Sequence, residues 1–304
     1  MSQSQRPSNW AAIFGKWSFN GDQVTYLGPD DDRPESSPVG LCVTDVQLRE
    51  GKISCRTKMS DENVEGKILL AYRSPNDKYV IAGLRGWNRA YTIGEWDPTR
   101  GWIGLAVAGN SQNLAVDRWY EQTVILRGQT LQVTVDNVRV LQHTVNNPIM
   151  PGQVGLFAWG RTRVEFENYT VNREAATAFV VMKFAEPYHQ LYKEVIVPVV
   201  ESFGLRAYHV GEVFGPGNIL QDIVQGIAEA QVVIAEITPI NQNVFYELGY
   251  AHALGKPTIL LAERGTQLPF DVSGYRTLFY DNSIGGKKQV EEGLRKHLNA
   301  ILME

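Results

Sequence analysis

The chain has no excess of basic residues, and that absence limits its partners first. Lys and Arg number 29 against 33 Asp and Glu in 304 residues, a net charge of -4. A nucleic-acid partner would call for a basic stripe, so none is expected. Long apolar runs are missing too: none approaches the ~20 residues that cross a bilayer, so no membrane partner is expected. The start, MSQSQRPSNW, lacks the basic and apolar segments of a secretory signal, and the expected location is cytoplasmic. Cysteine is scarce. Cys42 and Cys55 cannot make a disulfide framework and read as reduced core residues. No metal or cofactor is expected.

What is present divides unevenly. All seven tryptophans lie between Trp10 and Trp159, and four of the five histidines lie from His189 onward. The first 172 residues hold 18 basic and 18 acidic side chains, while the remaining 132 hold 11 and 15. The polar, alanine-rich VNREAATA at 171–178 marks the boundary, giving domains at 1–172 and 178–304.

The first half reads as strands. Runs such as GKILLAYRS, KYVIAGLRG, QTVILRG and TLQVTVDN are short and rich in β-branched and aromatic residues. Many alternate apolar with polar, and turn residues recur every ~8 to 12 positions, the spacing of a β-sandwich. Trp87, Trp96 and Trp102 could form a sugar platform, or be core and rim aromatics. Asp61, Glu62 and Glu65 read as solvated loop acids. YRSPNDKYVIAGLRG, LRGQTLQVTVDNVRVLQH and PGQVGLFAWGRTRVEFENYTV resemble the concanavalin A-like or laminin-G-like jelly rolls, including those of 3-keto-disaccharide hydrolase-like proteins. That resemblance implies a binding or sensing module, with carbohydrate or protein as its ligand.

The second half alternates strand and helix. FVVMKF, LRAYHV, QVVIAEIT, PTILLAE and TLFYD are continuous apolar strands, and the segments between them carry helical periodicity. Unbroken apolar strands joined by helices predict a parallel sheet covered on both faces, with ligands at the strands' carboxyl ends. Glu247, in NQNVFYELGYAHALGKP, falls in that zone, with Asn243 as the expected N-cap and the helix dipole favouring the ionised carboxylate.

The run AQVVIAEITPINQNVFYELGYAHALGKPTILL closely resembles a segment of bacterial TIR-like domains and of the nucleoside 2-deoxyribosyltransferase-like superfamily, both flavodoxin-like. The resemblance covers most of 178–302. It implies that Glu247 acts at the anomeric carbon of an N-linked ribose. By the same resemblance the chain would be an NAD glycohydrolase, hydrolysing or cyclising, that self-associates as a homo-oligomer in anti-phage defence. NAD is then the substrate, not a cofactor. Lys183 and Phe184 could meet the pyrophosphate and a base, or Lys183 be simply solvated; Phe214 in GEVFGPGN could border the nucleotide or serve assembly; Asn241 and Asn243 could hold ribose hydroxyls or be plain loop and cap residues. Tyr246 and Tyr250 would stack or simply pack. Two positions depart from the pattern: Lys183 stands where a proline is usual, and Glu236 where an aspartate is. Two other readings stay open, a deoxyribosyltransferase or nucleoside hydrolase, for which Glu236 could be a second acid, and a non-catalytic receptor.

Overall fold

The computed structural model describes residues 4–303 apart from 32, 147, 213–217 and 239. The chain divides into two compact units. Residues 1–126, 130–145 and 149–174 form one; 175–304, with 127–129 and 146–148, form the other.

The first unit is a jelly-roll sandwich of two antiparallel sheets. One runs, in spatial order, Val138–Thr144, Thr130–Val135, Trp119–Arg127, Gly51–Met59, Val164–Arg173, Gln23–Gly28 and Lys16–Asn20, with Ser4–Gln5 also pairing with Val164–Arg173. The other runs Gly101–Asn110, Arg89–Asp97, Tyr79–Gly86, Glu65–Tyr72, Gly152–Trp159, Val39–Leu48 and Trp10–Phe14. Alternation does the sorting. In Glu65–Tyr72, Ile68 and Leu70 face the shared core with Ile53, Val124, Leu156 and Phe166. Lys67 and Leu69 therefore point the other way. That outer face has its own cluster, Leu41, Leu69, Tyr79, Ile81 and Phe157, with Trp96 and Trp102 against it. Each fully buried aliphatic side chain contributes roughly 1.5–3 kcal/mol. Cys42 and Cys55 are buried and free. The edge strand Trp10–Phe14 is exposed at Ala11 and Ala12 and shows no clean alternation, whereas the central Gly51–Met59 alternates buried with more exposed residues.

The second unit is the expected flavodoxin-like sheet. Its strands, Thr177–Val181, Arg206–Tyr208, Val232–Glu236, Thr258–Glu263 and Thr277–Tyr280, lie parallel in the order second, first, third, fourth, fifth. Strand order reverses at the first strand, so the crevice that receives ligands in such sheets opens beside it. On one face Val180, Ile234 and Leu261 pack with Ile196, Val200 and Leu294, which belong to the helical segment after the first strand and to the last helix, Ile284–Met303. On the other face Val181, Val233 and Leu260 pack with Ile227 of the Ile219–Glu229 helix and with Val244 and Leu248 of the Gln242–Ala253 helix. Among the described residues, no helix is long and apolar enough to cross a membrane.

Candidate active site

The Gln242–Ala253 helix is started by Asn241, not by Asn243 as expected. Asn241 has extended backbone, and its Oδ1 accepts from the amides of Asn243, at 2.9 Å, and Val244, at 3.4 Å. Both asparagines can cap; only the first sits where the chain is not yet helical. Asn243 is thus the second helical residue, and it is exposed.

This shift changes the electrostatics of Glu247. The carboxylate becomes the sixth helical residue, outside the first turn, where the dipole's pull fades. Val244, Leu248 and Ala251 form the buried stripe of the helix, and Glu247, half-buried, flanks it. Burial therefore wins, and the Glu247 carboxyl is pushed up to about 7, opposite in sign to the dipole expectation. Among the described residues Glu247 has no hydrogen bond and no ion pair. It is an uncommitted acid that ionises near neutrality.

The other expected site residues scatter along the carboxyl edge of the sheet. Lys183 and Phe184 lie just past the first strand and are exposed. Phe184 packs its ring 4.4 Å from that of His209, which follows the second strand. His209, unread in the sequence, is 5% exposed, and burial lowers its pKa. Its Nδ1 accepts from the Gly211 amide at 3.0 Å, which leaves the neutral ring's proton on Nε2, 3.4 Å from Glu212 Oε1. The Tyr192 hydroxyl donates to the same Oε1 at 2.7 Å. Histidine ending a strand in LRAYHV was the available signal. Tyr246 is exposed, whereas Tyr250 packs against the buried cluster of the Gln242–Ala253 helix. Phe214 lies outside the described residues. His252 faces elsewhere, stacked 4.1 Å from Tyr275.

Glu236 closes the third strand and is 1% exposed. Its Oε1 accepts from the Thr238 amide at 2.8 Å. The Tyr280 hydroxyl lies close by, yet Oε2 has no partner in ordinary hydrogen-bond geometry. Burial pushes this carboxyl up to about 8, so it is protonated at neutral pH. No cluster that would hold a metal occurs among the described residues.

Two hollows open on the first unit. One, of about 410 Å³, is lined by Trp96, Trp102, Tyr79 and Asp30 among others; the second, of about 450 Å³, by Trp87, Trp159, Glu62, Glu65 and Arg85. The three tryptophans read as one platform thus divide between two hollows, and two acids read as solvated line the second. Neither hollow is bordered by Glu247.

No family model matches the chain, and no curated protein does. Solved structures do. A carbohydrate-binding module (CBM66) from Bacillus subtilis matches at 12% identity over 54% of this chain and 94% of its own, with TM-score 0.44. A B. subtilis protein of unknown function with a galectin-like fold matches at 10% identity, over 54% and 89%, with TM-score 0.42. A Bacillus licheniformis β-glucanase matches at 10% identity, over 57% and 98%, with TM-score 0.39. Likeness this distant leaves ligand and chemistry to the residues themselves.

Proposed function

We propose that the second unit cleaves the nicotinamide–ribose bond of NAD, with Glu247 as the catalytic carboxylate, and that the sandwich is its regulatory binding module. The observation that supports this reading is the half-buried, unpartnered Glu247 in the helix that follows the third strand. A carboxyl balanced near neutrality loses its proton readily when a pyridinium cation arrives. As the C1′–N bond breaks, the electron pair leaves with nicotinamide and positive charge builds on the ribose. The ionised carboxylate opposes that charge. Water then attacks C1′ and gives up a proton, yielding ADP-ribose; attack by an adenine nitrogen would cyclise instead.

The leaving group favours NAD over a neutral nucleoside. Nicotinamide departs uncharged and needs no proton, whereas a purine or pyrimidine leaving a neutral nucleoside gains from a second acid. Glu236 is protonated but belongs to the opposite face of the sheet. Self-association and a defence setting follow from the resemblance of the YELGYA segment to TIR-like domains.

The test incubates the protein with NAD and, separately, with deoxynucleosides, beside Glu247→Gln, at dilute concentration and under conditions that promote oligomers. Nicotinamide release that the substitution abolishes supports the proposal. Base release from deoxynucleosides alone would overturn it in favour of a transferase, and nucleotide binding without turnover in favour of a receptor.

A further inference from the structure

The Tyr79–Gly86 and Arg89–Asp97 strands pair Gly86 with Arg89, so Trp87 and Asn88 are the two residues of a tight hairpin turn. Both have positive φ, +47° and +59°, as a two-residue turn of this hand requires. Asparagine suits that geometry. Tryptophan does not, and its bulk there carries a conformational cost that the turn itself does not explain.

The Trp87 ring reaches back over the sheet. It lies across Gly94 and Gly104, which are direct cross-strand partners. A Cβ at Gly94 would come within 2.3 Å of Trp87 Cη2, and one at Gly104 within 3.5 Å of Cε2. Two glycines side by side within paired strands weaken the pairing, and here they leave the space that the ring fills. Yet Trp87 stays 41% exposed: its underside is seated and its upper side is open. The next cross-strand pair on the same face is Trp96 with Trp102, about 7 Å along the strands. The aromatics therefore form a track rather than a single pocket.

The rim of the hollow is polar but close to neutral. Lys67, fully buried 5.4 Å from the Trp87 ring, donates to Glu65 Oε2. That bond holds the carboxylate still, while its other oxygen has no partner among the described residues. Glu62 lies near Arg85, which is 3% exposed and directs its two Nη groups to the carbonyls of Asp61 and Leu114, so it balances the rim's charge without offering a donor. The side-chain amides of Asn88 and Gln112, also on the rim, make no hydrogen bond among the described residues. Open aromatic face, fixed acceptors and donors in waiting, and balanced charge suit one ligand class: a sugar, with an apolar C–H face and hydroxyls around its edge.

We infer that this outer face binds a neutral oligosaccharide, with one sugar ring seated on Trp87 and hydrogen-bonded by Glu65, Asn88 and Gln112, and the chain running toward Trp96 and Trp102. The inference rests on reading the sandwich as a binding module and is independent of Glu247.

Calorimetric titration of the full chain with cellopentaose, maltopentaose, laminaripentaose and a fructo-oligosaccharide tests it. At least one probe binds, and Trp87→Ala weakens it about tenfold or more, with partial recovery in Trp87→Phe. Gly94→Ala, which keeps every rim group but displaces the ring, has the same effect, and Trp119→Ala on the other sheet has none. Equal melting temperatures show that the variants are folded; should Trp87→Ala not fold, Gly94→Ala and Glu65→Gln decide. Absence of binding by all four probes at ~10 mM overturns the inference. So does affinity unchanged in Gly94→Ala, or tighter binding of an anionic probe such as a pentagalacturonate. Nicotinamide release is not read in any arm, so failure here leaves the Glu247 proposal standing, and failure there leaves this one.

Discussion

Glu236 and Glu247 belong to opposite faces of the parallel sheet. Along the third strand, Val233, Ala235 and Ile237 pack on the side covered by the helix that carries Glu247. Val232 and Ile234 pack on the other side with Tyr188 and Tyr280, and Glu236 continues their alternation. Two carboxyls close in sequence, each raised by burial, are thus separated by the sheet itself. A pair of acids across one glycosidic bond, as glycosidases use, is not what this arrangement offers. On the proposed chemistry, Glu247 acts without Glu236.

The first prediction concerns pH. The Glu247 carboxyl ionises near 7, and the ionised form is the one that opposes a sugar cation. kcat/KM for nicotinamide release from NAD should rise about tenfold per pH unit below 7 and level off above about 8. Glu247→Gln should lose that limb together with roughly 10²–10³ of the rate. A profile flat from pH 5 to 8 would remove Glu247 from the chemistry.

Glu236 should make the fold weaken as pH rises. Its folded pKa of about 8 lies above that of an unfolded glutamate, near 4.5, so the folded state holds a proton that the unfolded state releases. Stability from this group is complete below about 4.5 and is lost as pH climbs toward 8 and beyond. Glu236→Gln keeps the acceptor for the Thr238 amide and removes the titration. At pH 9 it should exceed the parent by about 1–3 kcal/mol in denaturant unfolding, with little difference at pH 5. Equal slopes of stability against pH in the two proteins would show that Glu236 is not the group responsible.

The two asparagines of NQN should separate cleanly. Asn241→Ala leaves the amides of Asn243 and Val244 without their acceptor and should cost about 1 kcal/mol. Asn243→Ala, on an exposed helical position, should stay within about 0.5 kcal/mol of the parent. Chemical denaturation of the single variants reads both, and the reverse ranking would place the helix start two residues later.

Much of this was legible in the residues, and the limits have physical causes. The run VVIAEI is apolar without alternation, and that is how a strand buried on both faces must look, so the parallel sheet could be read directly. The position of Glu247 after the third strand followed from the same pattern. Its ionisation did not, because burial depends on which side of the helix meets the core, and a two-residue error in the cap shifts the balance between dipole and desolvation. His209 was missed because a lone histidine in a strand carries no period; only folding brings it to Phe184, Tyr192 and Glu212. Trp87 was read with Trp96 and Trp102 for residue type alone. Its perch on Gly94 and Gly104 depends on pairing between strands, which local sequence does not reveal.

Lys256 offers a last test, of how the second unit is held together. The lysine in ALGKP is 6% exposed, and its Nζ donates to the carbonyls of Ala228 at 2.7 Å and Ala230 at 2.8 Å. These carbonyls end the Ile219–Glu229 helix, where a cation is favoured by the dipole and the last carbonyls lack partners within the helix. The same lysine lies two residues before the fourth strand, so one ammonium ties a helix end to the approach of a strand. Lys256→Met preserves most of the side chain's bulk but leaves the Ala230 carbonyl unmet in a buried place, while the Ala228 carbonyl keeps the Gln129 amide at 3.2 Å. The expected loss is about 1–3 kcal/mol, read by urea unfolding at pH 7, with an unchanged m-value if the native state keeps its form. A loss below about 0.5 kcal/mol would mean that water replaces the ammonium, and that this end of the helix is more open than the lysine's burial indicates.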